Sequence, residues 1–270
     1  MTEEPRFRTD LYRGTASDYD RFRPPYPDQL LDDLRARADV GDGGRMLDLA
    51  CGTGQLTFAL AGDFDEVWAV DQEAESVAFG RTKAEALGVG NITWVAGRAE
   101  DVSVPGSFDL VTIGNAFHRV RREVVAARAL TWLAPGRGLA LVWSGTPCQG
   151  EGRWEVEMAA ALGEWMHRVG AADRIPAGID ETLADDPHPQ VLERVGLAYV
   201  GKFEFAVDQV WTVETLTGFV YSTSSLNRHA LGEHVDAFEA DLAARLLACE
   251  PTGEFPHTMG FAYELARRPG

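Results

Sequence analysis

Between residues 45 and 143 the chain alternates short runs that are apolar throughout with single stretches of helical periodicity, and this rhythm limits its fold more than any other feature. Arg45-Met46-Leu47-Asp48-Leu49-Ala50, Glu66-Val67-Trp68-Ala69-Val70, Ile92-Thr93-Trp94-Val95, Phe108-Asp109-Leu110-Val111-Thr112-Ile113 and Gly138-Leu139-Ala140-Leu141-Val142-Trp143 read as strands. Ala74 to Leu87 and Arg122 to Leu133 read as helices, and Leu30, Leu31 and Leu34 mark a helix from Asp28 to Ala38. Strands without polar alternation need cover on both faces, and strands separated by single helices form a parallel sheet. With right-handed crossovers the expected class is α/β, a doubly wound, mostly parallel sheet.

The flanks differ. Residues 1 to 27 are polar and aromatic and end in Arg21-Phe22-Arg23-Pro24-Pro25-Tyr26-Pro27, where prolines exclude a helix interior and favour an extended arm over the core. After Trp143, residues 150 to 170 read as helical, 171 to 190 are rich in Asp, Pro and Gly, and Thr212 to about Asn227 is helical again. Leu197 to Phe205 and Met259 to Leu265 alternate as half-exposed strands and should complete the sheet in antiparallel fashion. The expected organisation is an arm (1–27), a ligand-binding core (28–148), a helical cap (149–195), and C-terminal strands with a further helical insertion (196–270).

With 270 residues, 45% hydrophobic, the chain can bury one sizeable core. Its formal net charge of -17 repels phosphate backbones and anionic headgroups, so neither nucleic acid nor membrane is expected as a partner. Arg119, Arg121 and Arg122 form the nearest basic patch and read as a solvated helix face. Cys51, Cys148 and Cys249 lack the spacing of a disulfide framework or a zinc site, so no metal is expected and a reducing compartment fits. The opening Met1-Thr2-Glu3-Glu4-Pro5-Arg6 has no signal-like apolar run, and a soluble cytoplasmic protein is expected.

Chemistry concentrates at the first strand's end. Asp48 is followed by Gly52-Thr53-Gly54 and by Gln55 to Leu60, which can open a helix. Glycines there permit a tight turn and a close backbone approach to a ligand, although the turn alone could require them. Asp71 ends the next strand, where a carboxylate can accept both ribose hydroxyls of a nucleoside; Asp is also a good helix cap. Together the two elements indicate an adenosine ligand. Dinucleotide sites use GxGxxG, whereas Thr57 occupies the third glycine position here. Asp48 would sit badly beside a pyrophosphate and well beside an ammonium and a sulfonium, which favours S-adenosylmethionine.

In these residues, and in Gly97-Arg98-Ala99-Glu100-Asp101, Phe108-Asp109-Leu110-Val111, Asn115-Ala116-Phe117-His118 and Leu133-Ala134-Pro135-Gly136-Arg137-Gly138, the chain resembles class I S-adenosylmethionine-dependent methyltransferases of the UbiE-like, or type 11, group. The likeness covers about residues 20 to 145. It implies a Rossmann-like, seven-stranded methyltransferase fold with S-adenosyl-L-methionine as cofactor. Asp48, Ala50, Gly52 and Gly54 would border the methionine moiety, with Asn115 at the same end. Asp71 would hold the ribose, and Gln72, Ala99 and Glu100 the adenine; Arg98 departs from the small or acidic residue common there. The arm Tyr19 to Pro27 resembles that of a bacterial subgroup acting on small metabolites. The resemblance therefore implies a small-molecule methyl acceptor, taking the methyl on oxygen or nitrogen, with a place in secondary (antibiotic) metabolism by analogy.

Methyl transfer from a sulfonium is an in-line displacement in which orientation can supply most of the rate, so no catalytic dyad is required. His118 is the candidate base, with a positioning role weighted above proton transfer; His167 and His257 are weaker candidates. Tyr19 and Phe117 are expected to line the acceptor pocket, Tyr12 and Phe22 are left open, and Trp154 and Trp165 are assigned to cap packing. Two other readings remain: a non-catalytic S-adenosylmethionine-binding protein, and an NAD-dependent oxidoreductase, disfavoured by the absent third glycine. Oligomeric state is left open, and a homo-oligomer is compatible with the sequence.

Overall fold

Strands apolar on both sides demand two covering layers, and in a computed structural model, which describes residues 10–41, 43–174 and 179–270, the chain provides both. The strands are β1 (Arg45–Leu49), β2 (Glu66–Asp71), β3 (Ile92–Ala96), β4 (Phe108–Gly114), β5 (Leu133–Ser144), β6 (Ala198–Trp211) and β7 (Phe255–Arg267). They form one seven-stranded sheet in the order β3-β2-β1-β4-β5-β7-β6. β1 to β5 run parallel, and β7 lies antiparallel between β5 and β6. The helices are α1 (Ala16–Phe22), α2 (Asp28–Ala38), α3 (Gln55–Leu60), α4 (Ala74–Leu87), α5 (Arg122–Trp132) and α6 (Arg153–Arg168). Then come α7 (Ile179–Asp185), α8 (His188–Arg194), α9 (Val213–Tyr221), α10 (Arg228–Leu231) and α11 (Val235–Cys249).

Alternate residues of each strand feed opposite layers. Met46 of β1 packs in one cluster with Leu30, Leu31 and Leu34 of α2, while Leu47 and Leu49 join Val125, Ala126 and Ala129 of α5 and Val191 and Leu192 of α8 in the other. The strand order reverses between β1 and β4, which opens a crevice beyond their carboxyl ends, the usual ligand position in such sheets.

β6 and β7 overrun the sheet on that side. Ser144, the last residue of β5, pairs with Phe261, while Phe255 to Met259 continue against Val207 to Trp211 as a two-stranded ribbon. α6 packs on this ribbon through Trp154 against Phe255, ring centroids 5.5 Å apart, and α11 packs on α6 through Phe238 edge-on to Trp165 at 5.6 Å. The Trp165 indole also donates to Asp241 Oδ2 at 2.8 Å. Both tryptophans therefore serve cap packing.

Four local expectations need correction. The arm is not wholly extended: α1 occupies Ala16–Phe22, and only the stretch beginning at Arg23 is straightened by the prolines. β7 is not half-exposed: it is an inner strand, and Phe261 to Ala266 are buried because both faces of the sheet are covered there, Phe261, Tyr263 and Leu265 in one core layer and Ala266 in the other. α9 ends at Tyr221 rather than near Asn227. Arg122 is not solvated: it is 3% exposed on α5, donating to the Asp186 carbonyl at 2.6 Å and to its carboxylate at 3.4 Å. Residues 1–9, where the arm begins and the reading of the N-terminal segment falls, lie outside the described residues, as do residues 175–178 of the expected cap and residue 42. No helix among the described residues is long and apolar enough to cross a membrane.

Gly80, inside α4, offers a direct check on the packing. By helix propensity alone Gly80→Ala should gain about 1 kcal/mol. An added Cβ would lie 2.3 Å from the Trp94 ring, so we expect a net loss of about 1 to 3 kcal/mol in denaturant unfolding. A stabilised variant would contradict this packing of α4 on β3.

Candidate active site

The crevice is built from the ends of β1, β2 and β4. Asp48 lies on β1 beneath the turn, 1% exposed. Its Oδ2 accepts from the Thr57 hydroxyl of α3 at 2.6 Å, and its Oδ1 from the Thr112 hydroxyl of β4 at 2.8 Å. Burial pushes its pKa up to about 6 against these two bonds. The expected ligand-facing carboxylate is thus a buried brace between strand, neighbouring strand and helix. Thr57, where a third glycine would stand, is one of its anchors.

The chain then turns sharply. Ala50 has φ +53°, Gly52 φ +57° and Gly54 φ +94°. Beyond β4, Asn115 also has positive φ, +51°. Two non-glycine residues in the left-handed region thus cap the two strands that flank the switch point, the kind of local strain that surrounding structure holds at functional sites. The two glycines of the turn are not equivalent. A Cβ at Gly52 would meet nothing within 4 Å, whereas one at Gly54 would lie 2.6 Å from Trp94. Gly52 faces open space, and Gly54 is a packing glycine.

Asp71 closes the other side of the crevice. Its Oδ2 accepts the Gly52 N–H at 2.8 Å and its Oδ1 the Glu73 N–H at 2.8 Å. Burial raises its pKa, opposed by those two bonds. A carboxylate has about four acceptor positions, so the pair of backbone bonds leaves each oxygen able to accept a hydroxyl. Glu73, close by, is pushed up to about 7 by burial and then by Asp71, and its Oε1 is buried with no hydrogen-bond partner.

The adenine-side candidates separate. Gln72 is exposed directly after Asp71, and Ala99 is buried beside β3. Glu100 is committed elsewhere: it accepts the Arg121 N–H at the head of α5 at 3.0 Å and the Arg98 guanidinium at 3.4 Å. Burial opposes its charge, but these donors outweigh it and hold the carboxyl below its ordinary range.

On the far side, the Asn115 amide donates to the Tyr26 hydroxyl at 3.0 Å and to Ser144 Oγ at 3.4 Å, and its Oδ1 accepts the Ser144 N–H at 3.0 Å. Tyr26, between two prolines of the arm, was not singled out in the sequence. Its proline-fixed backbone is the one signal that could have drawn attention to it. Gln55, the first residue of α3, donates to the Arg23 and Pro24 carbonyls at 3.1 and 3.3 Å, so the arm is pinned to the glycine turn.

Tyr19 of α1 reaches this region: burial raises its pKa, and Asp71 lies close enough to add to the shift. Tyr12 meets it edge-on at 6.4 Å, while Phe22 packs against Gly218 of α9. Phe117 is buried in the β4–α5 core, edge-on to His188 at 5.1 Å. His118 stands beside it in a short 3-10 turn, pushed down to about 3 by burial and then by Arg119, His188 and Arg122. His257 pairs with Glu155 at 2.6 Å in the cap, and His167 is exposed. No group of metal-ligating side chains occurs among the described residues.

Residues 46–136 match a family described as a methyltransferase domain. An uncharacterised methyltransferase of Schizosaccharomyces pombe is 31% identical over 139 residues, 51% of this chain and 52% of that protein. A demethylmenaquinone methyltransferase of Geobacillus kaustophilus is 37% identical over 93 residues, 33% of this chain and 40% of that one. The chain thus spans about half, or less, of the curated relatives it matches. Among solved structures, a protein provisionally described as a type II methyltransferase from Anaeromyxobacter dehalogenans superposes with a TM-score of 0.62 at 23% identity, over 92% of this chain and 99% of that one. The fold and the turn define a Rossmann-like cofactor-binding sheet. In this fold and in the matching segment the core resembles the class I S-adenosylmethionine-dependent methyltransferases.

Asp48 gives the site a pH signature. A carboxyl whose folded pKa lies above its unfolded value contributes stability that is fully present below the unfolded pKa and lost as pH rises through about 6. We expect this group to make the wild type about 1 kcal/mol more stable at pH 5 than at pH 7. Asp48→Asn should narrow the difference between melting temperatures at the two pH values; an unchanged difference would show that Asp48 is ordinarily ionised.

Proposed function

We propose that the protein transfers the methyl group of S-adenosylmethionine to a small-molecule acceptor, on oxygen or nitrogen, at the crevice between β1 and β4. The observation that carries this reading is the Asp71 carboxylate. It is fixed by the Gly52 and Glu73 amides, retains two acceptor positions, and lies beside a glycine whose Cα faces open space. These residues fit the group: Asp71 would hold the ribose hydroxyls, Gln72 and Ala99 would border the adenine, and Ala50, Gly52 and Asn115 the methionine end. Gly54 and Asp48 would shape the turn from behind, and Glu100 would fix the loop after β3 without touching the base.

Bound there, the sulfonium supplies an electrophilic methyl. The chain's own contribution is orientation and exclusion of water, worth up to about 7 to 11 kcal/mol when reactants are well aligned. Tyr19, Tyr26 and Asn115 would wall the acceptor side, with the arm and α9 closing over it. Phe117 would support this wall from the core. His118, with a conjugate acid near 3, is neutral at physiological pH and poorly matched to proton abstraction, which supports a positioning role. Placement in secondary metabolism, a reducing cytoplasm and any self-association belong to this reading as analogy.

Titration with S-adenosylhomocysteine tests the assignment. Asp71→Ala should weaken binding by at least about tenfold, and His118→Ala should leave it within about twofold. Equal affinity of Asp71→Ala and wild type would remove the ribose role, and loss of binding in His118→Ala would place that histidine at the cofactor instead.

A further inference from the structure

Among the described residues no carboxylate lies within 4.0 Å of the Arg23 guanidinium. Arg21, Arg35, Arg37, Arg45, Arg137, Arg194 and Arg245 each lie within 4.0 Å of a carboxylate. Among the described residues Arg23 has no such neighbour. Its guanidinium donates from a terminal nitrogen to the Ser222 carbonyl at 3.3 Å, and its buried Nε has no hydrogen-bond partner. The guanidinium is sandwiched between the Phe219 ring at 4.5 Å and the Tyr19 ring at 5.1 Å. Arg23 is half-buried, and a buried donor left unused on a cation is costly unless an anion completes it.

Its position is that of the acceptor side. The Arg23 carbonyl is tied to Gln55 at the glycine turn, and its charge acts on Tyr19, Tyr26 and Cys148, which surround the ends of β4 and β5. The turn that receives Arg23, Ser222 to Ser224, also receives Arg119 at Ser224 Oγ and Arg174 at the Ser224 carbonyl, at 3.3 and 2.9 Å. In a chain of formal net charge -17, three guanidinium groups thus converge on one turn.

We propose that the methyl acceptor carries a carboxylate and that Arg23 is the specificity-determining residue that binds it, a proposal that rests on the methyltransferase reading above. A planar monoanion matches the fork of a guanidinium held between two aromatic faces. A dianionic phosphate fits less well, because Asp71, Asp48 and Glu155 all act on the same surroundings and would repel the second charge.

The test uses the whole protein saturated with S-adenosylhomocysteine and titrated with benzoate, with benzamide as the uncharged analogue. Wild type should bind benzoate and not benzamide. Arg23→Gln should lose about ten- to a hundredfold in benzoate affinity, with Arg23→Lys recovering part of it. Both variants should melt near wild type and keep S-adenosylhomocysteine affinity within about twofold. If the wild type binds S-adenosylhomocysteine but not benzoate, or if Arg23→Gln binds benzoate as well as wild type does, the carboxylate proposal is overturned while the cofactor reading stands. If the wild type binds no S-adenosylhomocysteine, the reading beneath it fails.

Discussion

The carboxylate of Asp48, enclosed between β1, β4 and α3, is the contact on which the rest of the site depends. One oxygen takes the hydroxyl of Thr112 from the neighbouring strand and the other takes that of Thr57 from the helix that follows the turn. An acid buried this deeply is tolerated only when its oxygens are satisfied. The two threonines satisfy it, and in doing so they fix the strand end and α3 relative to each other. The left-handed residues Ala50, Gly52 and Gly54 then follow as the path by which the chain leaves the strand and enters the helix. Asp71 captures the Gly52 amide and ties β2 to the same turn.

Around this frame the arm and the cap are one structural unit more than two. Gln55 and Asn115 hold the arm to the cofactor side through Arg23, Pro24 and Tyr26. Phe22 against Gly218, Arg21 with Glu214, and Arg23 with Ser222 hold the same arm to α9 and the turn after it. The overrun of β6 and β7 beyond Ser144 gives the cap helices a rigid floor. On the proposed function, a substrate entering the crevice would meet groups drawn from the sheet, the arm and the cap together.

Much of this was legible in the sequence where contacts are local or imposed by burial on both faces. The strands from Arg45 to Ile113, the crossover helices and the glycine turn all announce themselves through apolar runs and glycine spacing. What was not legible depends on distant partners. Asp48 reads as ligand-facing until Thr112, 64 positions away, is brought against it. Arg122 reads as a surface charge until Asp186 meets it, and Met259 to Leu265 read as half-exposed until the layers on the sheet's faces bury all of them but Gly260. Gly54 reads as a ligand contact until Trp94 fills its open side. Arg23 reads only as part of the arm until Phe219 and Ser222, about 200 positions away, are brought against its guanidinium.

The central claim is that the crevice between β1 and β4 holds an adenosyl sulfonium and not a dinucleotide. Calorimetric titration of the wild-type protein with S-adenosylhomocysteine and, separately, with NAD tests it most directly. Saturable one-to-one binding of S-adenosylhomocysteine and no measurable heat with NAD are expected. Saturable NAD binding without binding of S-adenosylhomocysteine would contradict it.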